Sequence, residues 1–253
     1  MHVEKETDAS TLLGRNLTVG LLDHLGKAIV TGFHDEKSFP TEAQLAEQYK
    51  VSRSVTREAV KMLTAKGLLT ARPRQGTVIQ STLQWNLLDK DVLRWLLERK
   101  FSLRLLRQFT ELRVAIEPKG AELAAQYATF DDLKRMKAAF EQMVAAEEGH
   151  GDHTIADINF HISILFASGN PFYYQFQEMI RTALQTSIKF TTRVNNAKPN
   201  LEAHEEIMQA IFDRDPSRAY QKMFRIVNDV LVVVNEQERL NALEAAAASR
   251  AAN

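Results

Sequence analysis

Residues 39–80 decide the N-terminal fold and read FPTEAQLAEQYKVSRSVTREAVKMLTAKGLLTARPRQGTVIQ. Thr41 and Gln44 have the spacing of a capping box at the start of one helix. Ser52 can cap a second helix, in which apolar residues recur at helical spacing until Gly67 ends it. Two short helices joined by a tight turn are typical of a helix-turn-helix.

A further helix and a hairpin flank this motif. Leu17–Val30 alternates apolar and polar residues at helical spacing and should pack as the first helix of the same domain. Residues 68–70 and 77–79 can pair as two strands around a turn that contains Gly76. The complete pattern predicts a winged helix-turn-helix.

The second helix of the motif carries basic residues at its exposed N-terminal end. Its apolar face leaves Arg53, Ser54 and Arg57 outside the core, where a recognition helix presents side chains to base edges. Residues 50–80 contain seven basic residues and one acidic residue, Glu58, whereas the whole chain is neutral, with 32 of each. A basic face on one module of a balanced protein indicates phosphate contact. The alternative is a solvated helix face that is basic by accident.

These residues resemble the DNA-binding domain of the GntR family of bacterial regulators. The family has a proline, glutamate, leucine start, a VSR..VREA recognition helix and a G-T wing. The matching residues are Pro40, Glu42, Leu45, Val51-Ser52-Arg53, Arg57-Glu58-Ala59, Leu63, Gly67-Leu68 and Gly76-Thr77. The resemblance implies DNA contacts by the recognition helix and the wing tip. The implied contact residues are Arg53, Ser54, Arg57, Arg74, Gln75 and Gly76.

Composition restricts the class of protein. At 253 residues the chain exceeds one typical domain, and its 45% hydrophobic content supports a buried core in each of two. The lack of cysteine excludes disulfides, thiolate metal sites and thiol catalysis, so any metal site must use histidine and carboxylate. The sequence has no apolar run long enough to span a membrane, and its acidic N-terminus is unlike a signal peptide. We therefore expect a soluble, cytoplasmic protein.

The pattern along the chain predicts two domains. Residues 1–16 are expected to form a flexible extension, residues 17–80 the winged domain and residues 81–88 a linker. Residues 89–241 show helical periodicities and almost no strand signal, which predicts an all-helical bundle of six or seven helices. Residues 242–253 are rich in alanine and are expected to be a frayed helix or a disordered tail. The predicted fold class is mainly α.

A candidate metal site lies in the predicted bundle. Asp157 and His161 stand four residues apart and project from one face of one helix. His204 begins a later helix, and three nitrogen and oxygen ligands from two facing helices suit a divalent metal with open positions. The alternative is a surface pair or a hydrogen-bonded core pair, because Asp and His often occur at this spacing.

The helical region resembles the FCD effector domain of FadR-type GntR members, roughly over residues 89–235. The segments that carry the resemblance are ELRVAIEPKGAELAA, DINFHISILFASGNP and HEEIMQAIFDRDPSRAYQKM. Many members hold zinc or nickel with one Asp and three His, and the carboxylate of the effector binds the open positions of the metal. Asp157, His161 and His204 match three ligands, but Ile226 occupies the fourth position. The resemblance implies a metal with three protein ligands plus water or effector, with a metal-free pocket as the alternative.

The resemblance also concerns the effector and the linker. Arg113 matches an arginine that can face the effector, and a guanidinium pairs well with a carboxylate. Its alternative role is a structural ion pair with Glu117, one turn later. Residues 84–95 resemble the linker of members that answer to sugar acids, galactonate-responsive repressors in particular. Trp85 and Trp95 are expected to wedge the two domains together.

The predicted function is that of a homodimeric repressor that leaves its operator when a small carboxylate, such as the sugar acid galactonate, binds the helical domain. A two-fold dimer pairs with a palindromic operator because each protomer reads one half-site. The alternatives are a metal-dependent hydrolytic enzyme with an appended DNA-binding module, an architectural DNA binder, and a regulator of the same family that answers to another organic acid. No separate nucleophile or general-base motif supports the enzyme.

Overall fold

The computed structural model divides the chain into two compact units, Met1–Lys100 and Phe101–Asn253. The residues that it describes are 16–32, 39–72, 76–195 and 199–251. The first unit is a winged helix-turn-helix and the second is an all-helical bundle, which confirms the predicted fold class. None of the described helices is both long enough and apolar enough to cross a membrane.

The first unit contains four α-helices and one antiparallel pair of strands among its described residues. They are α1 (Leu17–Val30), α2 (Glu42–Gln48), α3 (Arg53–Ala65), β1 (Leu69–Arg72), β2 (Gly76–Ile79) and α4 (Lys90–Leu96). In the hairpin, Leu69 lies opposite Ile79 and Arg72 opposite Gly76. A short 3-10 turn, Thr82–Gln84, follows the wing. The core is formed mainly by leucines of the helices and of β1, including Leu21, Leu25, Leu45, Leu63 and Leu69.

The caps predicted from the sequence are present at α2 and α3. The Gln44 N–H donates to Thr41 Oγ1 at 3.3 Å, and the Thr41 N–H donates to Gln44 Oε1 at 2.9 Å. Ser52 Oγ accepts a backbone N–H of the first turn of α3 at 3.3 Å. Gly67 has a φ of 76° after α3, as a C′ residue requires. Met62, expected on the apolar face, is instead 38% exposed because it lies at the edge of the buried stripe.

The segment after the wing belongs to the first unit, which extends to Lys100. From the sequence, residues 81–88 were expected to form a linker and residues 89–241 the bundle. Lys66, which follows α3, donates to the carboxylates of Asp89 and Asp91 at 2.8 Å. Asp89 also caps α4 by accepting backbone N–H groups of its first turn. Since one ammonium group bridges two carboxylates near the start of α4, this helix is tied to the end of α3.

Both tryptophans are buried and have hydrogen-bond partners in the first unit, whereas their expected role between the two domains stays a prediction. Trp95 is fully buried, and a Cβ at Gly26 in α1 would lie only 2.2 Å from its ring. Its Nε1 donates to Asp23 at 2.7 Å. Trp85 Nε1 donates to the Gln80 carbonyl oxygen at 2.9 Å. The buried residues of this segment, Trp85, Val92, Leu93, Trp95 and Leu96, therefore contribute to the core of the first unit.

The second unit is a bundle of seven α-helices in the part of the chain that the structure describes. They are α5 (Leu103–Tyr127), α6 (Phe130–Glu147), α7 (His153–Ala167), α8 (Pro171–Tyr174), α9 (Gln177–Asn195), α10 (Leu201–Phe212) and α11 (Pro216–Ala251). The most extensive packing is between α5 and α11. The alanine-rich tail continues α11 as helix through Ala251, which agrees with the high helix propensity of alanine.

Gly26→Ala tests whether Trp95 completes the core of the first unit. The added methyl group overlaps the Trp95 ring, so we expect the free energy of unfolding of this unit to fall by about 1–3 kcal/mol, despite the better helix propensity of alanine. The chain has two tryptophans, Trp85 and Trp95, and both lie in the first unit. Tryptophan fluorescence during urea unfolding therefore reports on that unit.

The matched control is Val19→Ala on the exposed side of α1, for which we expect a change within about 0.5 kcal/mol. Equal unfolding midpoints for Gly26→Ala and the wild type would contradict this packing.

Candidate functional site

The recognition-helix residues are exposed at the N-terminal end of α3. Arg53, Ser54 and Arg57 are all exposed, whereas the opposite face of the helix is buried. The buried face consists of Thr56, Ala59, Val60 and Leu63. Within the described ranges, the two arginines have no ion pair or hydrogen bond through their side chains. Two guanidinium groups are thus available to base edges or phosphates.

The wing is described only in part. Gly76 begins β2 with a φ of 75°, and no atom lies within 4 Å of the position that a Cβ would take. Gly76 is exposed at the start of β2. Arg74 and Gln75 lie outside the described residues, so their DNA contacts stay predictions.

Two of the basic residues counted in the sequence are engaged inside the first unit. Lys61 pairs with Glu58 at 3.1 Å, and Lys66 pairs with Asp89 and Asp91. Burial by itself lowers the pKa of the Lys66 ammonium, but the two carboxylates raise that pKa above its ordinary value. Lys66 therefore stays charged as a structural cation, and the positive charge available to DNA lies mainly toward the N-terminal end of α3.

Asp157, His161 and His204 come together in the second unit. Asp157 and His161 lie one turn apart on α7, His204 lies in the first turn of α10, and all three are buried. His204 Nε2 is 2.9 Å from Asp157 Oδ1 and 3.4 Å from His161 Nε2. The distance from His161 Nε2 to Asp157 Oδ1 is 3.7 Å. Three potential metal ligands thus converge from two helices.

The other ring nitrogen of each histidine faces an acceptor. His161 Nδ1 contacts Glu117 Oε2 on α5, and His204 Nδ1 lies 2.7 Å from the carbonyl oxygen of Asn200, the N-cap residue of α10. An ionised carboxylate and a carbonyl oxygen can only accept, so each Nδ1 carries the proton and donates it. In the neutral rings, both Nε2 atoms therefore present lone pairs toward Asp157.

This arrangement leaves three acceptors facing one another. Asp157 Oδ1 is buried without a hydrogen-bond partner. His204 Nε2 lies 2.9 Å away, but with the proton of the ring on Nδ1 it has none to donate. A buried polar group without a partner costs about 1–3 kcal/mol. A divalent cation among the three atoms would satisfy them together, and nitrogen and oxygen donors suit zinc or nickel. The residues present therefore fit a metal.

The charges of the surrounding groups agree with a cation. Arg113 Nε donates to Glu117 Oε1 at 2.5 Å. Burial by itself raises the pKa of Glu117, but Arg113 and His161 lower that pKa to about 2. Burial also raises the pKa of Asp157, whereas the neighbouring histidines and Arg113 lower it below its ordinary value. Glu117 and Asp157 are thus two buried carboxylates with low pKa values beside one fixed guanidinium, Arg113, a charge distribution that suits a cation.

A cavity of about 460 Å³ lies beside this cluster. Its wall includes the three potential ligands and Ile226, which stands where the resemblance implies a fourth histidine. The rest of the wall is mixed. It has apolar side chains, namely Leu184, Ile188, Pro199, Ala203 and Val230, and polar ones, which include Thr191, Glu202, Arg225 and Asp229. Its size and its few convergent polar groups are those of a small-molecule site.

Of the two roles considered for Arg113, the ion pair with Glu117 is present, and contact with an effector stays a prediction. Arg113 also lines the cavity. Its Nη1 donates to Ser187 Oγ on α9 at 3.3 Å, and only 3% of the residue is exposed. Nε and Nη1 thus both have protein partners, whereas Nη2 makes no hydrogen bond with the described residues.

Sequence reasoning missed two groups that position the histidines. Glu117 was considered only as a partner of Arg113, because its contact with His161 joins residues 44 positions apart and no local spacing signals it. Asn200 was also missed, although an Asn one turn before a helical His is a recognisable cap. Phe160 packs against His204 with ring centroids 5.2 Å apart, which restricts the ring further.

Comparisons with known proteins agree with both units. The model of the bacterial regulatory proteins, gntR family, matches residues 21–79, and the FCD domain model matches residues 108–229. The chain is 32% identical over 216 residues to the galactonate operon transcriptional repressor of Escherichia coli (strain K12), covering 84% of this chain and 94% of that protein. It is 27% identical over 214 residues to the Uxu operon transcriptional regulator of the same strain, with 80% of each chain covered.

The solved structure of Streptococcus agalactiae GntR is 28% identical to the chain, covers 85% of it and 98% of its own length, and has a TM-score of 0.47. The matched families and the relatives are transcription regulators and not enzymes. The protein is a DNA-binding transcription regulator with a small-molecule effector domain, and it belongs to the GntR family, in the FadR-type group that carries an FCD domain.

Proposed function

We propose that this protein is a homodimeric repressor that leaves its operator when a sugar acid binds in the cavity of the second unit. The observation that carries the proposal is the convergence of three metal-ligand atoms on the wall of a cavity that Arg113 also lines. Similarity to the galactonate operon repressor supports galactonate or a related hexonate as the effector.

Asp157, His161 and His204 would hold one divalent ion, zinc or nickel. When bound, the metal supplies positive charge and open coordination positions for a carboxylate. Ile226 cannot bind a metal, so water or the effector completes the shell. Arg113 lines the same cavity, and its guanidinium would pair with a carboxylate oxygen of the effector.

The remainder of the cavity suits a polyhydroxylated chain. Its volume exceeds what a three-carbon acid fills, and its polar side chains include both donors and acceptors. Sugar hydroxyl groups require both kinds of partner. These properties favour a six-carbon sugar acid over a small hydroxy acid.

Release from DNA requires two arrangements of the dimer that bind the effector with different affinity. If the effector weakens operator binding by some factor, the operator must weaken effector binding by the same factor. A two-fold homodimer places one α3 on each half-site of a palindromic operator.

Arg57→Ala tests the recognition helix. The guanidinium is exposed and has no partner among the described residues, so its loss should weaken operator binding by about 1–3 kcal/mol if it contacts a base. The measurement is a fluorescence-anisotropy titration with DNA selected by the protein from a random library. Lys61→Ala on the same helix is the control, since Lys61 pairs with Glu58, and it should change affinity less. Unchanged operator affinity in Arg57→Ala would remove Arg57 from the interface.

His161→Ala tests the metal centre. Elemental analysis of protein purified without a histidine tag should find about one divalent ion per chain in the wild type, and the ion should be lost in the variant because two ligands remain. His150→Ala is the control, since His150 is exposed outside the cluster. Circular dichroism checks that each variant is folded. Equal metal content in His161→Ala and the wild type would refute the assignment.

Calorimetry of the effector tests the regulatory proposal. Galactonate should bind the free protein more tightly than the operator-bound protein, by the same factor by which it weakens operator binding. Galactitol keeps hydroxyl groups but lacks the carboxylate, so it should bind far more weakly, and L-lactate tests the size of the ligand. Equal galactonate affinities with and without operator, or no binding by any aldonate or uronate, would contradict the proposal.

A further inference from the structure

Glu117 is a buried carboxylate whose two oxygens face two different donors. Oε1 accepts from Arg113 Nε at 2.5 Å, and Oε2 accepts from His161 Nδ1. The residue is 1% exposed, so water does not replace either contact. The carboxylate thus stands between a fixed cation and a potential metal ligand.

We propose that Glu117 is a positioning residue that fixes the Nδ1–H tautomer of His161 and thereby keeps the Nε2 lone pair available to a metal. This inference rests on the proposed metal centre. A carboxylate that accepts from the far nitrogen of a ligating histidine orients the ring and makes it a stronger ligand. The effect is large in this chain, because Ile226 leaves the metal with three protein ligands.

Arg113 determines which atom of a side chain at position 117 can face His161, because its Nε–H requires an acceptor. Its Nε–H points at Oε1, and its Nη1 donates to Ser187, so the guanidinium is held from two sides. In Glu117→Gln the amide oxygen must therefore face Arg113, because an amide NH2 there would oppose another donor. The NH2 group then faces His161 Nδ1 and donates to it.

The consequence of this substitution is a change of tautomer. When His161 Nδ1 accepts, its proton moves to Nε2, where it faces Asp157 Oδ1, the buried oxygen that lacks a donor. At 3.7 Å this N–H is too far from Asp157 Oδ1 for a hydrogen bond, but His161 no longer offers the Nε2 lone pair to a metal. His204 is unaffected, since a backbone carbonyl holds its Nδ1.

The test is imidazole 15N NMR of the full-length protein without metal. Both His161 and His204 should be Nδ1–H tautomers in the wild type, and only His161 should become the Nε2–H tautomer in Glu117→Gln. Metal affinity, measured by competition with a chelator, should fall by about 10–100-fold or more. The matched control is Glu111→Gln, which removes an exposed carboxylate from a similar ion pair with Arg107 on the same helix and should leave both readouts unchanged.

A double variant separates positioning from general damage to the fold. In Arg113→Met with Glu117→Gln, the amide is free to turn its oxygen toward His161, so the Nδ1–H tautomer and part of the metal affinity should return relative to Glu117→Gln. If Glu117→Gln fails to fold, the double variant is used for both measurements. It is expected to fold better because it removes both members of the buried ion pair and leaves no unpaired charge.

The outcomes are distinct for the two proposals. An Nδ1–H tautomer of His161 in Glu117→Gln, or unchanged metal affinity in that variant, would overturn the positioning role. A tautomer switch in a protein whose wild type binds no metal would support the positioning of His161 and refute the metal centre instead.

Discussion

The chemistry of the helical unit depends on the hydrogen bonds that hold the Nδ1 atoms of two buried histidines. The Glu117 carboxylate and the Asn200 carbonyl both accept, so both rings direct Nε2 lone pairs at Asp157. Without these two acceptors, either ring could donate to Asp157 and the cluster would be an ordinary buried polar network. With them, the cluster has a surplus of acceptors and of negative charge, which a divalent cation satisfies.

The same cluster lies on the wall of the cavity, so the proposed metal centre and the proposed effector site adjoin. Arg113 contacts both, because its Nε donates to Glu117 and the residue also lines the cavity. An effector carboxylate that binds Arg113 would compete with Glu117 for the positive charge of the guanidinium. Glu117 in turn accepts the hydrogen bond from His161. Effector and metal are therefore expected to influence each other's affinity through a chain of direct contacts.

The DNA-binding unit reaches further along the chain than the winged motif alone. Lys66 ties the end of α3 to the start of α4, and Trp95 fills the space above Gly26 in α1. Residues 97–102 then lead from α4 into α5, the helix that carries Arg113 and Glu117. The first unit is thus connected along the sequence to the helix that carries Arg113 and Glu117 by six residues, 97–102.

Local signals made most of the fold predictable. Capping residues, glycine at the helix end and helical periodicity specified the winged motif, and the spacing of Asp157 and His161 specified a shared helix face. The role of α4 was not predictable, because a salt bridge from Lys66 and the fit of Trp95 onto Gly26 depend on tertiary packing. The contact between Glu117 and His161 was not predictable for the same reason. The family resemblance showed that Ile226 stands at the position of the fourth histidine, but it gave no sign of the contact that Glu117 makes with His161.

X-ray absorption spectroscopy of the metal-loaded protein tests the central claim most directly, since it identifies the ligands of the ion. The account predicts two imidazole ligands together with oxygen ligands, and a change only in the oxygen shell when a sugar acid is added. A spectrum with three imidazoles, or with none, would contradict a centre built from Asp157, His161 and His204.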